Sequence, residues 1–150
     1  AVLSTFLFVG RSGVSLTGYT ELERQARGAL LQFGTDSRQA SGITWTNAST
    51  LQLTGEFGTI TYTYDATAKK LTRSAGGASR SLATNIASFS FRAFAIDGNE
   101  LPLATSPGTV GASTKMVQLQ MTLVRTHVAA AKATESVVSA RYVLRNKDVT

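Results

Sequence analysis

The sequence predicts an α+β protein in which a long N-terminal α-helix packs on an antiparallel β-sheet head. Three observations carry that expectation. The first forty residues hold an uncharged apolar start followed by a helical period of apolar residues. After Gly42 the apolar period switches to two, with Gly, Asn and Asp punctuating short segments. The polar surface is built from Ser, Thr, Asn, Gln and Gly rather than from charge, since only 16% of the residues are charged against 43% hydrophobic, a balance suited to exposed strand faces.

Ala1 to Val9 reads Ala-Val-Leu-Ser-Thr-Phe-Leu-Phe-Val, and as a helix it would be about 13 Å long, less than half a hydrocarbon core. It is either an ordinary buried start or the tail of a membrane segment whose first half is missing ahead of Ala1. From Val14 to Phe33, Leu22, Ala26, Ala29, Leu30 and Phe33 fall on one helical face, with Glu21, Arg24, Gln25 and Arg27 mostly elsewhere. Gly10, Gly13 and Gly18 cluster as in helices packed on small-residue neighbours. Gly34 reads as a possible C-cap, and the helix end falls between 33 and 41, with Gly42 the latest stop. The chain therefore divides into an N-terminal helix over 1–41 and a globular β head over 42–150. Within the helix, residues 1–18 form a truncated membrane or filament-core segment and residues 19–41 an amphipathic one.

The head begins as a meander: Ile43 and Trp45, Leu51 and Leu53, then Ile60, Tyr62 and Tyr64, turning at Asn47 to Thr50 and at Gly55 to Gly58. A short strand follows at Leu71-Thr72-Arg73, and Ser74 to Ser79 reads as a loop. A longer strand runs from about Ala87 to Ile96, with Phe89 and Phe91 on one face, and Asp97-Gly98-Asn99 turns the chain. Leu101 to Gly111 carries both prolines and reads as a flexible surface loop. Lys115 to Arg125 gives the cleanest alternation, placing it centrally, and Val138, Ala140, Tyr142 and Leu144 mark the last strand. Val128 to Ala133 is a turn or a short helix.

Chemistry finds no anchor. The chain has no cysteine, so it offers no disulfide, thiolate ligand or thiol nucleophile. Its one histidine, His127, stands at a strand end without a second imidazole to share a metal. No Gly-x-Ser-x-Gly elbow surrounds a serine, and Gly76-Gly77 lacks the phosphate-loop context. Asp97-Gly98-Asn99-Glu100 puts three oxygen-bearing side chains in four residues without EF-hand spacing, so a plain turn is favoured over calcium. Asn47-Ala48-Ser49 matches the glycosylation sequon and reads first as a turn. No catalytic, cofactor-binding or metal-binding residues are assigned. The net charge of +6 comes from scattered basic residues with Lys69-Lys70 the only adjacent pair, so nucleic acid is an unfavoured partner.

The stretch Leu30-Leu31-Gln32-Phe33-Gly34-Thr35-Asp36-Ser37-Arg38-Gln39-Ala40, the strand Tyr62-Thr63-Tyr64-Asp65, the following Leu71-Thr72-Arg73 and the closing Ser139-Ala140-Arg141-Tyr142-Val143-Leu144-Arg145-Asn146-Lys147 together resemble the type IV pilins and pseudopilins, particularly the J-type minor pseudopilins of type II secretion systems. The family's helix often closes Leu-x-x-Asp-x-Arg-x-Ala, matched in part by Asp36, Arg38 and Ala40. Its leader junction, Gly-Phe-Thr-Leu-x-Glu, does not occur in this sequence. The resemblance implies a pilin-like fold and a non-enzymatic minor subunit of a type IV pilus-like filament or secretion pseudopilus. It implies an inner-membrane anchor before assembly, a head in the periplasm or outside the cell, and other subunits as partners. The partner face would be Leu22, Ala26, Ala29, Leu30 and Phe33, with loop 101 to 111 meeting other heads. One alternative is a surface-displayed binding module for adhesion or DNA uptake, holding a polyanion on Lys69, Lys70, Arg73 and Arg80; a third reading is a soluble β-sandwich domain with an incidental helix, monomeric and indifferent to membranes.

Overall fold

A computed structural model describes the backbone of residues 2–124 and 135–148, and side chains at 21–124 and 137–148. Helix α1 (Val2–Gln39) is followed by β1 (Gly42–Asn47), β2 (Thr50–Gly55), β3 (Gly58–Asp65), β4 (Lys70–Ala75) and β5 (Ala78–Ala83). These five strands form one antiparallel sheet in sequential order. Strands β6 (Ile86–Phe94) and β7 (Glu100–Leu101), helix α2 (Pro107–Ser113), and strands β8 (Met116–Val124) and β9 (Glu135–Val143) complete the chain, and the second sheet is ordered β7-β6-β8-β9. His127 and the Val128 to Ala133 segment lie outside the described residues.

The expectation of a long N-terminal helix packed on a single β-sheet head is corrected by this architecture. Strands dominate the described chain and form two antiparallel sheets, and the described packing of α1 comes from the short stretch Glu21 to Gln39. The physical reason lies at Thr84–Asn85. Asn85 takes a positive φ of 57°, which asparagine tolerates better than most residues. The turn lets Ile86 N–H donate to Lys69 O at 3.1 Å and Val124 N–H to Asn85 O at 2.9 Å. Strand β6 thus pairs with β8 instead of continuing the meander beside β5.

Two further differences have readable causes. Strand β5 begins inside the loop expected over 74–79 and runs on through residues for which no element is expected. Its Ser79, Arg80 and Ser81 carry no apolar alternation, because the strand is a sheet edge exposed over most of its length. Gly76 and Gly77, both at positive φ (58° and 84°), close a two-residue hairpin between β4 and β5. Within the expected loop at 101–111, Ser106-Pro107 starts helix α2 with proline in its first turn. That helix lies against β1: a Cβ on Gly111 would fall 2.8 Å from Ile43 O, so only glycine permits the approach, and the edge of the first sheet is covered there.

One buried cluster joins all layers. Leu22, Ala26, Ala29 and Phe33 of α1 meet Leu51, Leu53, Ile60, Tyr62 and Leu71 of the first sheet and Phe91, Leu119, Met121 and Leu123 of the second. Phe33 is the junction, its ring centroid 5.0 Å from that of Tyr62, 5.7 Å from Phe91 and 5.8 Å from Tyr142. Such edge and tilted aromatic contacts add to simple area burial. Phe89 and Phe91 are thereby committed to the interior, Phe89 stacking on Tyr64 at 4.4 Å. Beyond β9, Leu144 is fully buried and Lys147 Nζ donates to Ala112 O at 2.7 Å, tying the tail to α2.

Candidate functional site

The segment Glu21 to Gln39 of α1 presents two faces with different fates. Leu22, Ala26, Ala29 and Phe33 are buried in the molecule's own core and Leu30 packs partly against it, so the stripe expected to meet partner helices is spent within the chain. The opposite face carries Arg24, Arg27, Leu31, Thr35 and Arg38, all exposed, with Leu31 66% exposed. Arg24 pairs with Glu21 and Arg27 with Glu23, one turn away in each case. These pairs neutralise charge along a helix flank and leave Leu31 as its apolar knob.

Near its C-terminal end α1 is fixed to the first sheet by a buried polar cluster. Asp36, 4% exposed, accepts from Tyr62 Oη at 2.6 Å and from Arg73 Nε at 2.7 Å through Oδ2. Its Oδ1 accepts from Gln32 Nε2 at 3.1 Å and Arg73 Nη2 at 3.3 Å. Four donors satisfy a carboxylate removed from water, the condition under which a buried ion pair is tolerated. Burial first, and then the bond to Asp36, push the Tyr62 hydroxyl well above the usual phenol range. The bond to Asp36 likewise raises Arg73, so that guanidinium stays charged. The cluster unites members of three stretches singled out in the sequence: Asp36 before the helix end, Tyr62 of the Tyr-x-Tyr strand, and Arg73 of Leu-x-Arg.

The second sheet grips the same turn of helix. Tyr142 Oη donates to Leu30 O at 2.9 Å, and its ring lies where a side chain on Gly34 would be, a Cβ there falling 2.5 Å from Tyr142 Cε1. Gly34 is therefore not a C-cap but an interior helical residue chosen for close approach, and the helix runs on to Gln39. Arg38 donates to Gly34 O and sits 5.8 Å over the Tyr142 ring.

The four basic residues weighed for a polyanion surface are divided. Arg73 and Arg80 are cross-strand neighbours facing α1, where Arg73 is committed to Asp36. Lys70 pairs in register with Asp65, and Lys69 occupies the β3–β4 turn at φ 51°. In the 97–100 turn, Asp97 accepts from Asn99 through both carboxylate oxygens, and Glu100 pairs with Arg92 at 3.2 Å. Asn47 accepts from Ser49 N–H, closing its turn. Among the described residues no cluster of three His, Cys, Asp or Glu side chains could hold a metal, and no helix is long and apolar enough to cross a membrane. Sequence reading passed over the partnership of Asp36, Tyr62 and Arg73; its signal was a carboxylate near a helix end, with Tyr and Arg on adjacent meander strands.

Compared with the known protein families and with the curated proteins, the chain matches none.

Proposed function

We propose that this protein is a non-catalytic structural subunit of a type IV pilus-like filament or type II secretion pseudopilus, joining neighbouring subunits through α1 and displaying its strand-built head. In this reading it is held at the inner membrane before assembly, with the head in the periplasm or outside the cell. The observation that supports it is the Asp36, Tyr62 and Arg73 cluster. Residues 26 and 37 positions beyond Asp36 converge on one carboxylate, so separate motifs of the resemblance act as one clamp between helix and head. A subunit loaded along its helix needs such a joint, because apolar contacts alone resist sliding weakly while directional bonds to a charge fix the register.

Partner contacts along the described stretch of α1 then belong to its outer face around Leu31. The test is Leu31→Glu in the native host, read by filament or pseudopilus assembly and by photo-crosslinking from position 31. Lost assembly at an unchanged melting temperature, with crosslinks to other subunits in the parent protein, is the expected result. Normal assembly of the variant without crosslinks would overturn the reading.

A further inference from the structure

The open edge at β5 faces a groove, and the two features share one geometry. Ala75 and Ala78 flank a two-residue turn and Arg73 pairs with Arg80. Antiparallel alternation therefore leaves Ser79 and Ser81 with N–H and C=O groups directed away from β4. Among the described residues no backbone group outside the sheet bonds to either. Among the described residues, helix α1 bonds to the backbone of this edge only at its far end, where Gln25 Oε1 accepts from Thr84 N–H at 3.1 Å. Between helix and edge lies a groove of about 430 Å³ whose lining includes Glu21, Arg24, Gly28 and Arg80. Gly28 keeps it open, since nothing lies within 4 Å of where its Cβ would be.

We propose that this edge takes an extended acidic peptide segment of a partner protein as a sixth strand. Backbone bonds to Ser79 and Ser81 would hold the segment, and its alternate side chains would point over Gly28 toward α1. Charge selects the occupant. The groove carries two guanidinium groups and one carboxylate, and Glu21 already holds Arg24 with bonds of 3.0 and 2.8 Å. Arg80 reaches only an amide oxygen, Gln32 Oε1 at 3.3 Å, and no carboxylate among the described residues. A carboxylate on the incoming strand completes that site. A second copy pairing through its own β5 would instead bring two Arg80 side chains onto one face, an unfavourable like-charge contact.

This inference goes beyond the filament reading and stands independently of it. The test titrates the 150-residue chain with a fluorescent six-residue peptide alternating Val and Glu, and with its Val and Lys counterpart, while amide shifts are followed. Expected are saturable binding of the Glu peptide alone, shift changes centred on Ser79 and Ser81, and affinity at least about tenfold weaker in Arg80→Gln and in Gly28→Gln. Gly28→Gln fills open space on a helix, so its melting temperature should not fall. Absence of Glu-peptide binding, equal binding of the Lys peptide, shifts mapping away from β5, or unchanged affinity in both variants would overturn the proposal. So would self-association through β5, detected as Ser79 and Ser81 shifts that depend on protein concentration alone.

Discussion

Arg73 holds Asp36 from across the helix–sheet boundary, Nε to Oδ2 at 2.7 Å, with the acid 6% and the guanidinium 21% exposed at their side chains. The pair spans the joint between α1 and β4, so its rupture should loosen the helix from the head rather than perturb either element alone. Removing Asp36 strands Arg73, Tyr62 and Gln32 together. Asp36→Ala is expected to cost about 3–5 kcal/mol, the usual penalty for breaking a buried pair on one side. Urea unfolding of Asp36→Ala, Arg73→Met and the double variant checks this. The double variant should lose less than the two singles summed, because the second change removes a group already orphaned.

Tyr62 predicts a base-side instability. Its folded pKa is raised by burial above the ordinary value of 10.0, so above that pH the unfolded chain releases a proton that the folded chain keeps. Stability from this group is complete below pH about 10 and declines as pH rises past it, by up to ~1.4 kcal/mol per pH unit. Tyr142, raised by its own burial, adds to the same decline. Unfolding free energies measured between pH about 9 and 11.5 should fall less steeply for Tyr62→Phe than for the parent, and a parallel pair of curves would refute the assignment.

Two glycines on one helix should respond oppositely to alanine. Gly34→Ala drives a methyl into the Tyr142 ring and should cost about 1–3 kcal/mol through forced displacement of that side chain. Gly28→Ala meets nothing within 4 Å and should stabilise by about 0.5–1 kcal/mol from helix propensity. Thermal melts of the two variants against the parent settle the contrast.

Phe33 carries the meeting of the helix with both sheets and is fully buried. Phe33→Ala should cost about 3–5 kcal/mol, the range for large core truncations. Charged replacements at Leu22 or Ala26, also buried, should unfold the protein outright. A folded, monomeric Leu22→Glu variant with an unchanged circular dichroism spectrum would contradict the placement of that face.

The sequence by itself determined most of the local elements, helix α2 inside the expected loop at 101–111 being one exception. Period-two alternation located the strands through Ile43, Leu51, Ile60, Leu71, Phe89, Leu119 and Tyr142, and the helical period located the buried stripe of α1, because burial on one side writes itself into spacing. It did not mark β5, whose exposed Ser79, Arg80 and Ser81 leave no alternation to read. The tertiary structure alone decided that the strands divide into two sheets at Asn85. It also decided that the apolar helix face turns inward, and that Asp36, Tyr62 and Arg73 share one buried site. Spacing reports that a face is covered but not what covers it, and a single carboxylate, phenol and guanidinium have no period. Their partnership exists only once β3 and β4 are laid beneath the last turns of α1.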